Sequence, residues 1–448
     1  MPSMGKAGDL FGRKRVYLLG WALSIAFSGL AALSWSAGAL ITFRLLSACA
    51  GAATGPASMA LILSAFPPEE RVKAMGWWSF AGAGPVDEPV ELERWADFHP
   101  LFGAAPAGGY LAAAVSAFFR NGGERCRVVR LDPAEERGAV ETLRRALHAI
   151  RPLETVDLVC APDLMRRVVA LPEEARARAV GADERDSVLC EAVEMQRALL
   201  EHCDRAGDRM ALLDALPGAS PTQVRAQRCK LAGNNGALYY PWLLAEGTDG
   251  AGEALVPPCG HVAGVYARVD ALVGVHRAPA NERLEGVLDV ETLLDDATQA
   301  GLNAAGINCI RAFPGRGVRV WGARTLSTEP AWEHVNVRRV FLTLGRWVSA
   351  NLAAASFEPS SPLLWARIGR ELSAYLTGLF QRGALRGGSP DEAFYVRCDA
   401  STNPPEAREA GVVVTEIGLA PVVPNEFIVV RITHGPSGLD LAAPSPAA

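Results

Sequence analysis

The chain has 448 residues, half of them hydrophobic, and its 44 Lys and Arg against 49 Asp and Glu give a net charge of −5. With no long basic run, this balance disfavours a protein that binds nucleic acid by neutralising phosphates. Nine scattered cysteines without a C-x-x-C pair disfavour a disulfide or zinc framework and predict reduced, packed thiols.

Residues 1–84 are predicted to form an all-α transmembrane hairpin. No charged residue interrupts 16–43 or 45–68, and about 20 apolar residues suffice to cross a bilayer. Basic residues at 13–15 precede the first stretch, and further charges follow the second. By the positive-inside rule both ends of the hairpin lie on the cytoplasmic side. Membrane association is expected of this segment alone.

The next part of the chain alternates strands and helices. Turn residues bound short β-rich runs, and apolar residues at helical spacing mark the helices between them. The predicted strands are 125–131, 156–162, 209–216 and 236–243, and the predicted helices are 187–206 and 260–270. This order predicts an N-terminal region over 85–155 and a middle α/β domain over 156–300.

The pattern changes near residue 300. A strand hairpin is predicted around the Gly-rich turn at 314–317. Two amphipathic helices follow at 334–354 and 363–382, and then strands at 393–399, 411–421 and 425–434. Helices kept apart from a mostly antiparallel sheet predict an α+β domain over 301–436, with a disordered tail at 437–448. The predicted fold class is therefore α/β and α+β multidomain, preceded by the all-α hairpin.

No pattern in the sequence indicates catalysis. Cys259, His261 and His276 come nearest to a metal constellation, but their spacing matches no metal signature. The Gly-rich segments lack the strand-to-helix context of a phosphate-binding loop. We therefore predict no enzyme activity, no catalytic residue, no metal site and no cofactor.

One basic cluster is a candidate interaction site. Four arginines and a tryptophan are predicted to share the hairpin: Arg311, Arg316, Arg319, Trp321 and Arg324. Guanidinium groups gathered on adjacent strands can hold phosphate, and charged strand partners at an interface between subunits fit the same pattern. Both interpretations stay open, and we take these residues as the candidate interface hairpin.

The segment GKAGDLFGRKR at 5–15 resembles the loop between the second and third helices of major facilitator superfamily transporters, through Gly5, Asp9, Gly12 and the basic triplet. FPPEERVKAMGWW resembles the linker into the fifth helix of that family. The chain departs from the family pattern at Ser47-Ala48, where Gln-Gly is usual. The resemblance implies a transporter fragment without transport activity, because one hairpin cannot build a site that forms between two repeats.

Three longer motifs carry a second resemblance: LNAAGINCIRAFPGRGVRVWGARTLS, HVNVRRVFLTLGRWV and EIGLAPVVPNEFIVVRI. From about Gly84 to Thr433 the chain resembles the tail sheath proteins of contractile phages and phage-derived injection systems. The resemblance implies a structural subunit that stacks with its own copies in a helical sleeve around an inner tube protein. Baseplate and terminator proteins are the further partners that it implies, and nucleic acid is not among them.

The same resemblance implies how such a sleeve works. A baseplate trigger lets the subunits rotate into a wider, shorter array, which drives the tube outward without nucleotide hydrolysis. Assembly is expected in the cytoplasm of a bacterial host, in a phage tail or an injection particle.

Terminal strands donated to neighbours link the subunits of such a sleeve. The apolar C-terminal strand is the candidate here, namely Glu426, Phe427, Ile428, Val429, Val430 and Arg431. The transporter-like hairpin stands where the family has an N-terminal arm, so we expect poor polymerisation. Our interpretation is a fusion of two genes; the alternative is a membrane-anchored sheath-like protein.

Overall fold

A computed structural model describes residues 85–103, 109–131, 138–169, 187–247, 252–353, 358–422, 428–435 and 438–442, with five single positions before residue 43. The chain divides into two compact units, one of Met1–Gly84 with Ala96–Pro106 and one of Pro85–Trp95 with Ala107–Ala448. Apart from those five positions, the predicted transmembrane hairpin lies outside the described residues. Among the described helices, none is both long and apolar enough to span a membrane.

Fifteen strands are found in the described parts of the chain. They are β1 (Pro89–Leu92), β2 (Cys126–Val129), β3 (Leu158–Cys160), β4 (Met210–Asp214), β5 (Gly236–Tyr240), β6 (Leu243–Glu246), β7 (Glu253–Val256), β8 (Glu282–Arg283), β9 (Val287–Val290), β10 (Ile307–Phe313), β11 (Gly317–Trp321), β12 (Phe394–Arg397), β13 (Val413–Leu419), β14 (Ile428–Gly435) and β15 (Gly438–Ala442). Every strand predicted from the sequence has a counterpart here.

The α-helices of the same described parts are α1 (Phe98–Phe102), which belongs to the first unit, and eleven in the second. These are α2 (Leu111–Arg120), α3 (Ala139–Ile150), α4 (Arg166–Val169), α5 (Ser187–Ala206), α6 (Pro221–Cys229), α7 (Cys259–Leu272), α8 (Asp296–Ala304), α9 (Val335–Leu352), α10 (Pro362–Gln381), α11 (Pro390–Ala393) and α12 (Pro405–Glu409). Short 3₁₀ turns lie at Trp95–Asp97, Pro162–Met165 and Pro330–Trp332. The four long helices predicted from the sequence, α5, α7, α9 and α10, are confirmed.

A six-stranded sheet in the order β3-β4-β5-β10-β11-β8 forms the centre of the second unit. Its first four strands run parallel, and β11 and β8 close it in antiparallel fashion. Every residue of β4 and β5 is buried. Met210 and Leu212 enter one apolar core, and Ala211 and Leu213 enter another. Continuous burial with alternate residues in two cores is typical of a parallel sheet covered on both faces.

The hairpin β10–β11 belongs to this central sheet. We predicted that it opens the C-terminal domain at residue 301, but β10 pairs with β5, with Ile307 opposite Leu238. The predicted boundary at 300 therefore cuts through one sheet. Local strand patterns do not reveal a parallel partner nearly 70 residues away, because that pairing depends on tertiary packing.

The C-terminal sheet has the order β12-β13-β14-β15, and all its neighbours are antiparallel. Val413, Thr415 and Ile417 are buried while the residues between them are half-buried, as strand alternation requires. The buried face packs with α9 and α10 around Phe341, Leu344 and neighbouring apolar side chains.

The tail is a correction to the sequence prediction. We predicted disorder over 437–448, but Gly438–Ala442 forms β15 and pairs with β14, with Leu441 opposite Ile432. A short strand is ordered by backbone hydrogen bonds to a neighbouring strand, here β14. Amino-acid composition does not reveal that pairing.

Candidate functional site

The candidate interface hairpin brings Arg311 and Arg319 together. The two residues lie directly opposite each other in the antiparallel pair, where like charges repel unless each has its own partner. Arg311 forms an ion pair with Asp296 at 2.8 Å. Arg319 Nη1 instead donates to the backbone oxygen of Asn281 at 2.6 Å. Because the two guanidiniums are held by different partners, they do not form one phosphate-gripping pair.

The tip of the hairpin carries Arg316, which is exposed. Its guanidinium lies 5.8 Å from the centre of the Phe313 ring, and Nη2 donates to Asn281 Oδ1 at 3.3 Å. Of the predicted arginines, Arg316 therefore offers its charge most directly to a partner. An exposed guanidinium over an aromatic face is suited to a carboxylate on another molecule.

Trp321 ends the hairpin, and Arg324 lies beyond it. The Trp321 ring packs 4.7 Å from the Phe313 ring and lines a cavity of about 370 Å³ together with Asn281 and Asn303. Arg324 does not lie on the hairpin as predicted. Strand β11 ends at Trp321, and Arg324 instead bridges to His334 and forms an ion pair with Glu333. The hydrogen bond from the backbone N–H of Arg324 to Asn308 Oδ1 (2.6 Å) fixes the chain in this course.

The candidate inter-subunit strand begins outside the described residues, at Glu426 and Phe427. Ile428, Val429, Val430 and Arg431 lie in β14, where their partners in β13 are Leu419, Gly418, Ile417 and Glu416. Because β15 pairs with the other side of β14 from Arg431 onward, Arg431 lies between two strands, whereas Ile428, Val429 and Val430 pair with β13 only among the described strands. Among the described strands, β15 lies at the end of this sheet and pairs on one side only.

Three arginines of α9, which we call the α9 clamp, join the C-terminal helices to the central sheet: Arg338, Arg339 and Arg346. Arg338 Nε donates to Asn235 Oδ1 at 2.6 Å, just before β5. Arg339 forms an ion pair with Asp270 of α7, and its Nη1–Oδ1 distance is 2.8 Å. Arg346 forms an ion pair with Asp157 and donates to the backbone oxygen of Val156, just before β3.

Sequence reasoning missed this clamp, although a signal was present. Positions 339 and 346 are seven apart on a helix, so they lie on one side of α9. That side also carries buried apolar residues such as Leu342. Arginines repeated on the apolar side of an amphipathic helix indicate buried ion pairs. Burial lowers the pKa of Arg338, and the nearby negative charge of Asp204 partly offsets that shift.

Cys259, His261 and His276 come nearest to a metal-binding pattern in the sequence. Cys259 and His261 are buried near the start of α7, and burial lowers the pKa of His261 to about 4. Within the parts of the chain that the structure describes, no group of three His, Cys, Asp or Glu side chains could hold a metal ion. The eight cysteines of those parts are free thiols.

Three family models match the chain. The model described as the phage tail sheath protein central domain matches residues 159–326, and the phage tail sheath C-terminal domain matches residues 327–434. The Major Facilitator Superfamily matches residues 1–86. The two sheath models meet between residues 326 and 327, so Arg338 and Arg339 of the α9 clamp join the segments that they describe.

Two solved structures resemble the chain over most of its length. The contracted sheath complex of an extracellular contractile injection system, PVC, is 30% identical and covers 77% of this chain and 86% of that chain, with a TM-score of 0.61. A chain in the baseplate of the anti-feeding prophage is 29% identical over 77% of this chain and 87% of that chain, also with a TM-score of 0.61.

Curated relatives match each part of the chain separately. The tail sheath protein of Vibrio phage KVP40 is 27% identical over 191 residues, which are 42% of this chain and 28% of that relative. The match thus spans less than a third of the relative's length. Multidrug resistance protein 3 of Bacillus subtilis is 37% identical over 76 residues, which are 17% of this chain and 15% of that relative.

Proposed function

Because the chain belongs to the phage tail sheath family over residues 159–434, we propose that it is a structural subunit of a contractile sheath. In this role it polymerises around an inner tube and contracts to drive that tube through a target envelope. The observation that carries the proposal is the likeness to a contracted sheath, which extends over 86% of that chain. The role is mechanical, and we assign no reaction to the chain.

The α9 clamp supports a mechanical role. A contracting sleeve needs subunits that rotate as units, so that motion occurs at the contacts between them. Arg339 and Asp270 hold α9 against α7, and Arg346 holds it near β3. With its central sheet tied to its C-terminal helices, the subunit transmits force without bending between them.

Two surfaces are our proposals for contact with neighbouring copies. The first is the tip of the hairpin, where Arg316 is exposed. The second is the C-terminal sheet, where β15 pairs on one side only among the described strands. An unpaired strand edge is a template for strand addition. The inner tube, baseplate and terminator proteins complete the proposed partners, with α9 and α10 as candidates for facing the tube.

The test is electron microscopy of the purified full chain over a range of concentrations. Hollow sleeves or contracted tubes with helical order are expected at high concentration. A species that stays monomeric at every concentration, with and without the inner tube protein, would sink the proposal and favour an isolated binding module.

A membrane-anchored sheath-like protein is the second candidate. The observation that favours it is the match of residues 1–86 to the transporter family. Its test begins with a tryptic peptide search for residues 74–94, AMGWWSFAGAGPVDEPVELER, which crosses from one similarity to the other. Detection of this peptide in a membrane fraction that resists carbonate extraction favours an anchor. Sheath peptides in soluble particles, without the crossing peptide, favour a plain sheath subunit.

Flux assays in vesicles are expected to show no transport.

A further inference from the structure

Two thiols meet at the end of the central sheet. Cys160 ends β3, and Cys259 begins α7, 99 positions later in the sequence. Cys160 Sγ lies 3.9 Å from the backbone oxygen of Cys259, and the Cys160 side chain is close enough to raise the pKa of the Cys259 thiol. Tertiary folding therefore brings two cysteines together without a C-x-x-C motif.

A buried carboxylate completes the cluster. Asp214 ends β4 and is 4% exposed. Its Oδ1 accepts a hydrogen bond from the backbone N–H of Cys259 at 2.8 Å, which places the carboxylate beside Cys259. Burial raises the pKa of Asp214 to about 7, so near neutral pH this carboxyl can both take and release a proton. It is placed as a base for Cys259.

The two thiols differ in access. Cys259 is fully buried, and its side-chain interaction with Cys160, together with burial, raises its pKa. Cys160 is half-buried on β3, an edge strand of the central sheet. A small oxidant therefore reaches Cys160 first, and Cys259 is positioned to react second. The start of α7 favours the negative charge that Cys259 acquires in that second step.

We propose that Cys160 and Cys259 are a redox modification site that forms a reversible disulfide in the presence of a peroxide. Cys160 sulfur attacks one peroxide oxygen, giving Cys160 sulfenic acid and one water. Cys259 sulfur passes its proton to Asp214 and attacks Cys160 sulfur, expelling hydroxide, which takes that proton and leaves as a second water. Two thiols are oxidised by two electrons, and one hydrogen peroxide is reduced to two waters. A dithiol reductant reverses the step by exchange.

The bond would tie an edge strand of the central sheet to helix α7, which shares an apolar core with Cys160. Closing a loop of this length restricts the unfolded chain strongly. The oxidised subunit is therefore expected to resist unfolding more than the reduced one. In a particle that leaves the reducing cytoplasm, this site would stiffen the part of the subunit that lies beside the α9 clamp.

The experiment treats the reduced full chain with a small excess of hydrogen peroxide, blocks remaining thiols and maps peptides by mass spectrometry. A Cys160–Cys259 linked peptide, two mass units lighter than its reduced parts and lost on dithiothreitol treatment, is expected, together with a higher Tm. C160S and C259S should each abolish the link. C229S, which removes an exposed thiol elsewhere, should leave it unchanged. A Cys126–Cys160 link, or Cys160 sulfinic acid without the expected link, overturns the proposal.

Asp214→Asn tests whether Asp214 acts as the base for Cys259 or only lies next to it. It keeps the side-chain shape but removes the base, so link formation at pH 7 should slow by at least about tenfold. An unchanged rate would remove Asp214 from the mechanism. Far-UV circular dichroism of each variant, recorded before oxidation, establishes that the variants compared are folded. If Asp214→Asn does not fold, the test is the rate of link formation in the wild-type chain between pH 6 and 8. A base with the pKa of Asp214 predicts that this rate rises over the window. A flat profile contradicts the role of Asp214.

Discussion

Arg339 of α9 donates two hydrogen bonds to the carboxylate of Asp270 of α7, one of them at 2.8 Å. The Arg339 side chain is 4% exposed and that of Asp270 is 24% exposed. The guanidinium also lies 4.9 Å from the centre of the Tyr266 ring. A charge held this deeply depends on its partner, because water cannot replace it.

Breaking this pair should destabilise the subunit strongly. Arg339→Met leaves Asp270 without its ion partner, and removing one member of a buried pair costs about 3–5 kcal/mol. The control is Arg346→Met, whose pair with Asp157 is more exposed, with side chains 20% and 49% accessible, and should cost about 1 kcal/mol or less. Urea unfolding followed by circular dichroism measures both. Equal losses for the two variants would contradict the importance that we give to burial.

The crossing of α2 and α7 depends on Gly260. A Cβ at this position would lie 2.5 Å from Ala114 Cα and 2.8 Å from its carbonyl carbon. Gly260→Ala should therefore force the helices apart and cost about 1–3 kcal/mol or more. The matched control is Gly369→Ala in α10, where nothing lies within 4 Å of the added atom. There the change should stabilise by about 0.5–1 kcal/mol, because alanine is the better helix former. Thermal unfolding of both variants should show Tm changes of opposite sign.

Asp214 should make stability decrease as pH rises. Burial raises its folded-state pKa from 3.8 to about 7. Between these values the folded chain holds a proton that the unfolded chain has released. The stabilising contribution is thus complete below pH 4 and lost by about pH 7, by up to roughly 4 kcal/mol. Asp214→Asn should therefore gain stability relative to wild type across this window.

The comparison with wild type is needed because His261 makes stability increase, not decrease, as pH rises. Its pKa is lowered to about 4, so its contribution is lost as pH falls below the unfolded value. The difference between Asp214→Asn and wild type, measured by urea unfolding at several pH values, cancels that slope. A difference that stays flat from pH 4 to 7 would contradict a raised pKa at Asp214.

Charge reversal at the hairpin tip tests the proposed interface. Arg316→Glu should change the unfolding free energy of the subunit by no more than about 0.5 kcal/mol, because the side chain is exposed. If Arg316 meets a carboxylate of a neighbouring copy, the concentration needed for array formation should rise at least about tenfold. Arg205→Glu makes the same charge change on the 78% exposed Arg205 side chain of α5 and should leave assembly unaffected. Sedimentation with electron microscopy gives both values, and equal thresholds would exclude Arg316 from the interface.

Local patterns in the sequence predicted the long helices α5, α7, α9 and α10, several of the strands, and the family. The apolar spacing in α10 predicted Leu364, Ile368, Leu372 and Leu376, all of which are buried. The alternation in β13 likewise predicted that Val413, Thr415 and Ile417 share one face, and the structure shows that this face is the buried one. These features depend on side chains a few positions apart, so a periodicity of 3.6 or 2 residues is sufficient to reveal them. The sheath motifs were likewise visible as ordered runs of residues.

Only the tertiary structure decided which distant residues meet. Three relationships join positions far apart in the chain: the pairing of β10 with β5, the ion pair of Arg339 with Asp270, and the approach of the Cys160 sulfur to the backbone oxygen of Cys259. Such pairings arise from the packing of whole layers, and no local spacing encodes them. The sequence by itself therefore determined what kind of subunit this is, and the fold decided how its parts are held as one.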